Sequence, residues 1–391
     1  MDGVSLRVAI VCDGIGEVVA GSFISTLRFA ERLHARGHRI VLISSGSWRT
    51  SKERELRGLP VHRLPGVLVP WSNGQLRLAV PRMRQLEAIL HAEAIDVVHI
   101  TIPMPLGLVT TRVAKRRGIP VVMHSHTQAE NIFLHTPRMG RETITRRFSA
   151  YLSWFYRQGN VIVYPSAFAC RQFPNLAACR HVVISNGVDR SVFRPVPAEA
   201  FQRRFHLSKG KQYLLYLGRL HPEKSVETLI EALPLIVRHH PSVHLLLVGL
   251  GHQRAALAAL AERLGVTNSL TFCGFVPDEE LPAAYAAGDL FVLPSIAELE
   301  GMAVLEAMAC GKPLLIADSK SSAAVDFVDG NGALFRVRDP DDLARQASRL
   351  LADPSGLQMM GQTSLSKSLA FDIDRSVAAL ECVYSSVLPS K

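Results

Sequence analysis

No stretch of this 391-residue chain keeps the roughly 18 to 20 uninterrupted apolar residues that a membrane-spanning helix requires, so no crossing segment is expected. No two of its six cysteines form a Cys-x-x-Cys spacing. They stand singly at Cys12, Cys170, Cys179, Cys273, Cys310 and Cys382, most of them inside apolar patterns. That argues against a thiol redox pair or a zinc ribbon and predicts buried free thiols suited to a reducing compartment. Acidic residues are in deficit: 34 Asp and Glu stand against 44 Lys and Arg, a net charge of +10. Such an excess points to nucleic acid, an anionic membrane surface or phosphorylated substrates. Zinc-finger spacing and the aromatic signature of RNA-binding sheets are both missing, which turns the reading away from nucleic acid. The opening Met1-Asp2-Gly3-Val4-Ser5-Leu6-Arg7 lacks the basic start and long apolar stretch of a signal peptide, and is read as leading into a first strand.

What is present has a clear rhythm. Hydrophobic residues make up 48% of the chain and charged residues 20%, a globular balance, and the length suits two domains of roughly 180 residues each. Short apolar runs at Val8–Cys12, Ile40–Ser44, Val97–Ile100, Val121–His124, Val161–Tyr164 and Val182–Ile184 predict buried strands, with helical patterns such as Ser25–Arg36, Arg82–Ala94 and Leu106–Arg117 between them. The alternation then restarts. Strands are expected at Tyr213–Tyr216, Val243–Val248, Leu270–Phe272, Leu290–Leu293 and Pro313–Ala317, and helices at Ser225–His239, Gln253–Leu264, Leu281–Ala287 and Gly301–Ala309. The class is α/β, two doubly wound parallel sheets in succession. Phe193-Arg194-Pro195-Val196-Pro197 breaks the periodicity, so the expected domains are 1–190 and 191–370, followed by a terminal helix in 371–391 with apolar positions at Val377, Leu380, Val383 and Val387. Ligands of such sheets bind beyond the carboxyl ends of the strands. The residues just after each strand are therefore the candidates.

After the first strand, Asp13-Gly14-Ile15-Gly16 and then Ala20-Gly21-Ser22 open a helix, where free backbone N–H groups suit a phosphate. The spacing is not Gly-x-Gly-x-x-Gly. The second strand ends Ile43-Ser44-Ser45-Gly46, without the acid that would hold a dinucleotide ribose, which counts against a nicotinamide oxidoreductase. His124-Ser125-His126-Thr127 ends another strand. The histidines have no third ligand at metal-binding spacing. They are expected to project to opposite faces, His124 open to a structural role and His126 at the site edge. Gly218-Arg219-Leu220-His221-Pro222-Glu223-Lys224-Ser225 follows the first strand of the second half. Arg219 and Lys224 could hold and neutralise a diphosphate, although the same residues also fit a solvated basic loop.

Past Leu290–Leu293, Glu298 falls in a loop and Glu306 two turns into the helix that starts near Gly301. Carboxylates there can accept sugar hydroxyls while the helix N–H groups meet phosphate. Glu306 sits among Leu305, Ala307 and Met308, so a partner for it is expected. Asp339-Pro340-Asp341 and Asp372-Ile373-Asp374 read as helix N-caps, so no metal-carboxylate site is expected. Finally, Arg138–Gln158 carries Arg138, Arg141, Arg146, Arg147 and Arg157 against Glu142, with an apolar stripe of Ile144, Phe148, Tyr151, Leu152 and Phe155 beside Trp154. It fits either an ordinary helix with its stripe in the core, or a helix lying on an anionic membrane through Arg141, Arg146, Arg147, Trp154 and Phe155.

Together these motifs resemble the retaining family 4 glycosyltransferases. The Glu298/Glu306 pair matches the family's Glu-x7-Glu motif. Gly218-Arg219 with Lys224, Ser185-Asn186-Gly187-Val188-Asp189 and Gly274-Phe275-Val276-Pro277 match as well. The resemblance implies the GT-B fold: two facing Rossmann-like domains, an inter-domain cleft, and a terminal helix that crosses back to the first domain. It implies that Arg219 and Lys224 hold the donor diphosphate, that Glu298 with Gly301, Met302 and Ala303 holds the donor sugar, and that Glu306 binds the ribose. The base would lie near Phe275 and Val276, Gly21 and Ser22 would approach the diphosphate, and His126 would sit by the anomeric carbon. Leu64-Pro65-Gly66, Asp96-Val97-Val98-His99-Ile100, Pro103-Met104-Pro105-Leu106-Gly107 and Glu298-Leu299-Glu300-Gly301 are most similar to the subfamily that glucosylates diacylglycerol, with Ala20-Gly21 and Ser125 departing from its pattern. The implied enzyme is a retaining, metal-independent, cofactor-free hexosyltransferase of glycolipid biosynthesis. Its implied partners are a UDP-glucose-like sugar nucleotide, a lipid acceptor and an anionic membrane surface, with no nucleic acid. It is expected in the cytoplasm, peripheral on the inner face of the plasma membrane. The same chemistry on a soluble sugar or polysaccharide is the alternative.

Overall fold

Runs of aliphatic and β-branched residues with little polar alternation suit strands buried on both faces, and that is the form they take in the computed structural model, which describes residues 5–16, 21–47, 50, 52–69, 77–129 and 138–389. The described residues divide into two units, one drawn from Met1–Ala129, Thr136–Asn186 and Asp374–Lys391, the other from Gly187–Ile373.

The first unit is built on a sheet whose parallel strands run Leu59–Leu68, Arg39–Gly46, Arg7–Val11, Val97–Ile100, Val121–His124, Val161–Tyr164, His181–Val183. Glu55–Leu56 and Arg77–Ala79 pair antiparallel with Leu59–Leu68. The strand order reverses between Arg7–Val11 and Val97–Ile100, and the loops beyond those strands begin at Cys12 and Thr101. Leu59–Leu68 is absent from the sequence reading. Pro60 and Pro65 each remove a ladder donor and made the segment look unlike a strand. The terminal helix Ile373–Val387 belongs to this unit. The Arg36 guanidinium grips Glu381 with two bonds of 2.8 Å, His38 Nε2 meets the same carboxylate at 3.0 Å, and Tyr384 reaches His99.

The second unit is a parallel sheet in the order Leu270–Gly274, Val243–Val248, Gln212–Leu217, Leu290–Leu293, Leu314–Asp318, Gly332–Arg336. In chain order this is 3-2-1-4-5-6, the doubly wound arrangement of dinucleotide folds, with its reversal between Gln212–Leu217 and Leu290–Leu293. Helix Val226–His239 buries Val226, Leu229, Ile230, Leu233 and Ile236, a single stripe at helical spacing. It packs on Pro340–Leu351, whose N-cap Asp339 accepts the Asp342 N–H at 2.9 Å, as the cap reading required. The units divide at Asn186/Gly187 and Ile373/Asp374. There Val188 N–H bonds Phe371 O at 2.8 Å and Ile373 N–H bonds Val188 O at 3.1 Å, so the two connecting segments run side by side within the second unit.

Candidate active site

At the carboxyl edge of the second unit, the reversal point gathers charged residues. Arg219 and Lys224 follow Gln212–Leu217, and Glu298 follows the neighbouring Leu290–Leu293. Lys224 Nζ donates to Glu298 Oε1 at 2.5 Å, and both side chains are about five-sixths buried. Glu298 lies not in a free loop but in the two-residue strand Ala297–Glu298, paired with Ser321–Ser322. Its approach is pinned twice: Ile296 N–H bonds Glu223 O at 2.8 Å, and the Ser319 hydroxyl bonds Ile296 O at 2.5 Å. Arg219 donates to Glu223 Oε1 at 3.0 Å, and the Tyr216 hydroxyl holds Arg219 O at 2.7 Å. The Arg219 loop needs a close neighbour. A Cβ on Gly251 would stand 2.1 Å from Leu220 O, so only glycine lets the loop after Val243–Val248 lie against it.

The helix Met302–Ala309 begins one residue later than the sequence pattern suggested. Gly301 is its N-cap at φ +107, a conformation that residues with a Cβ rarely adopt. No side chain caps this helix, and its in-helix bonding begins with Val304 N–H to Gly301 O at 2.8 Å, so the N–H groups of Met302 and Ala303 ahead of it have no in-helix acceptor. Glu306 is buried and accepts the Tyr285 hydroxyl at 3.0 Å, which supplies the partner its apolar neighbours demanded. Beyond Leu270–Gly274, Phe275 is exposed and Val276 buried. Arg219, Lys224, Glu298, Gly301, Met302, Ala303, Glu306, Phe275 and Val276 thus belong to one edge of one sheet.

His126, Gly21 and Ser22 belong to the first unit. Gly21 is the first residue of helix Gly21–Ala35. The N–H groups of Gly14 and Ile15 are already taken by the Ser45 and Ser44 hydroxyls, at 2.8 and 3.2 Å, so this glycine loop spends them inside the fold. His124 and His126 do not project to opposite faces. Their rings lie 4.0 Å apart, because residues i and i+2 of an extended chain share a face. Phe155 is corrected too. It is 1% exposed, with Leu152 and Tyr156 in the core, so it offers nothing to a surface. Arg146, Arg147 and Trp154 of the same helix are exposed, and Arg141 is half-buried. No helix among the described residues is long and apolar enough to cross a membrane, and no cluster of three or more His, Cys, Asp or Glu among them could hold a metal.

Two family models divide most of the chain between them: Glycosyltransferase Family 4 over residues 19–192 and Glycosyl transferases group 1 over residues 198–366. A GDP-mannose-dependent alpha-mannosyltransferase of Mycolicibacterium smegmatis is 31% identical over 319 residues, 80% of each chain. The chain belongs to glycosyltransferase family 4. Another similar protein is the GDP-mannose-dependent alpha-(1-6)-phosphatidylinositol dimannoside mannosyltransferase of Mycobacterium tuberculosis, 25% identical over 89% of this chain and 88% of that one. A D-inositol 3-phosphate glycosyltransferase of Segniliparus rotundus is 30% identical over 210 residues, and this match spans only 47% of its length. The fold is shared with Anabaena HepE, solved with UDP-glucose, at TM-score 0.78 and 20% identity, covering 97% of this chain and all of the other. Membership in family 4 sets aside the nicotinamide and nucleic-acid readings. For a family 4 site, the sequence reading missed Glu223, Tyr285 and Tyr216, which hold Arg219 and Glu306 in place. Only Glu223 left a signal, an acid four residues after Arg219.

Burial makes the first unit sensitive to acid. It pulls His99 down to about 3 and His126 to about 4, and His124 well below the ordinary 6.5, with the neighbouring imidazoles adding to the effect on His99 and His124. Each binds fewer protons folded than unfolded, so stability falls as the pH drops below about 6.5. Asp13 opposes this: burial raises it to about 7, so its contribution is lost as the pH rises from about 4 toward 7. Three imidazoles outweigh one carboxyl, each worth up to about 1.4 kcal/mol per pH unit. Thermal unfolding should show the melting temperature falling from pH 7 to pH 5, with a slope that His124→Leu lessens by about one proton. A melting temperature that does not depend on pH in this range, or an unaltered slope in the variant, would contradict the assignment.

Proposed function

We propose that this chain is a retaining hexosyltransferase that moves a hexose from a nucleoside-diphosphate sugar to a membrane lipid acceptor, in the cytoplasm at the inner face of the plasma membrane. The observation that carries this reading is the Lys224–Glu298 ion pair with Arg219 at the reversal point of the second sheet. Without donor, the lysine and the glutamate satisfy each other. With donor, Lys224 and Arg219 turn to the diphosphate and Glu298 to the sugar hydroxyls. The bond from the anomeric carbon to the diphosphate breaks, the acceptor oxygen bonds to the same face, and the departing phosphate oxygen takes the acceptor's proton. Two cations beside the leaving group stabilise the charge that develops there, a role that needs no metal. Glu306, anchored by Tyr285, is assigned to the ribose, Phe275 and Val276 to the base, and Gly21, Ser22 and His126 to the donor from the first unit.

The donor read from the sequence is UDP-glucose-like, and HepE, a protein of the same fold solved with UDP-glucose, supports it. The names of two relatives favour GDP-mannose. Both carry a hexose on a nucleoside diphosphate. A lipid acceptor is supported by the phosphatidylinositol dimannoside in one relative's name and by the exposed Arg146, Arg147 and Trp154. A soluble, phosphorylated acceptor is the second reading, favoured by the inositol phosphate in another relative's name.

Lys224→Ala and Glu298→Ala should each lower release of nucleoside diphosphate from UDP-glucose or GDP-mannose by about a hundredfold to a thousandfold, with folded circular-dichroism spectra. Chelation with EDTA should leave the wild-type rate unchanged. Unaltered turnover in both variants would refute the site. Co-sedimentation with phosphatidylglycerol vesicles at low salt should fall severalfold in an Arg146→Glu/Arg147→Glu double variant. Equal or absent binding in wild type and variant would remove the membrane surface and leave the soluble acceptor.

A further inference from the structure

Three imidazoles lie in file inside the first unit. His99 projects from Val97–Ile100, His124 from the adjacent Val121–His124, and His126 follows two residues later. The His99 and His124 rings are 5.4 Å apart and within 9° of parallel, and those of His124 and His126 are 4.0 Å apart at 31°. Phe29 of helix Gly21–Ala35 packs on His124 at 5.8 Å. At the far end, the hydroxyl of Tyr384, fully buried on the terminal helix, meets His99 Nδ1 at 2.7 Å. His99 Nε2, both nitrogens of His124 and His126 Nε2 are buried without hydrogen-bond partners.

An unpartnered buried polar atom costs about 1–3 kcal/mol. Leucine or phenylalanine at 99 and 124 would fill the same space between strands and helices without that cost. The core nevertheless holds rings that are flat, polar at the edge, and in successive contact from Tyr384 of the terminal helix through His99 and His124 to His126 beyond the strand end. Stacking fixes a ring plane, and a hydrogen bond to one ring nitrogen decides which nitrogen carries the proton.

We propose that His99, His124 and Tyr384 are positioning residues for His126: the stack, pinned at its inner end by the Tyr384 hydroxyl on His99, sets the plane of the His126 ring. The proposal rests on the reading of His126 as the residue beside the donor's anomeric carbon. It gives the terminal helix a part in the site, since removing one hydroxyl on that helix frees the inner end of the file. The effect passes through ring orientation, so it falls on the reaction step and not on donor binding.

The test uses the full chain with ring-15N-labelled histidine and the variant Tyr384→Phe, which keeps the buried ring. Release of nucleoside diphosphate from UDP-glucose and from GDP-mannose is measured alongside the His126 ring resonances, assigned with His126→Ala. The expected result is a shift of the His126 ring signals and a fall in kcat of about tenfold, with donor KM within about twofold. Unmoved His126 signals with unchanged kcat overturn the proposal, and so does a change confined to KM. If Tyr384→Phe does not fold, His99→Gln is read in the same way. If His126→Ala keeps full turnover, the catalytic reading of His126 fails, and the ring spectrum alone decides positioning: a shift upholds it and unmoved signals overturn it.

Discussion

The contact between Lys224 and Glu298 is the one on which the rest of the site depends. Two unlike charges, carried on segments that follow neighbouring parallel strands, meet at 2.5 Å in a place with little water. Alone, either charge would be costly to hold there, because a partly buried ion needs a counter-charge or several hydrogen bonds. Paired, they satisfy each other, and under the proposed function they keep the cradle formed until an anion and a set of hydroxyls take their places. The same device recurs around them. Glu223 holds Arg219, and Tyr285 holds Glu306. Every charged group assigned to the donor therefore has a neighbour that fixes its position, as a preorganised site requires.

The strand order explains why these residues meet. In a doubly wound sheet the loops on either side of the reversal leave in opposite directions and open a crevice between them. Arg219 and Lys224 stand on one side of that point in the second unit and Glu298 on the other. The Ser321–Ser322 pairing and the Ser319 hydroxyl then keep the Glu298 segment from drifting. The first unit reverses in the same way, but it commits its early glycine-loop amides to Ser44 and Ser45 and lines up imidazoles in place of fixed cations.

Much of this was legible in the sequence, because buried parallel strands announce themselves as unbroken apolar runs and the helices between them as stripes. Arg219, Lys224 and Glu298 were visible because they stand where a strand has just ended, and Glu306 because of its apolar neighbours and its spacing from Glu298. What escaped has physical causes. Leu59–Leu68 hid behind two prolines, which it accommodates at ladder ends: Pro60 lies in the two-residue pairing with Glu55–Leu56, and Pro65 is the last residue paired with Arg39–Gly46. Phe155 belongs to a helix whose aromatic content suits a membrane and a core equally, and only packing decides between them. His124 and His126 share a face because of the two-residue repeat of an extended chain. Tyr285 and Tyr384 act across 21 and 285 residues of sequence, distances over which no local pattern speaks.

The central claim is that the edge of the second unit around Lys224 and Glu298 receives a nucleoside diphosphate. Thermal unfolding against a panel of nucleosides, nucleoside mono- and diphosphates and their sugar esters tests it directly, since a ligand that binds only the folded chain raises its stability with the logarithm of its concentration over Kd. The account predicts that UDP or GDP and its hexose ester raise the melting temperature, that the free nucleoside does not, and that Lys224→Ala removes most of the rise. No rise with any diphosphate, or an equal rise in Lys224→Ala, would contradict it.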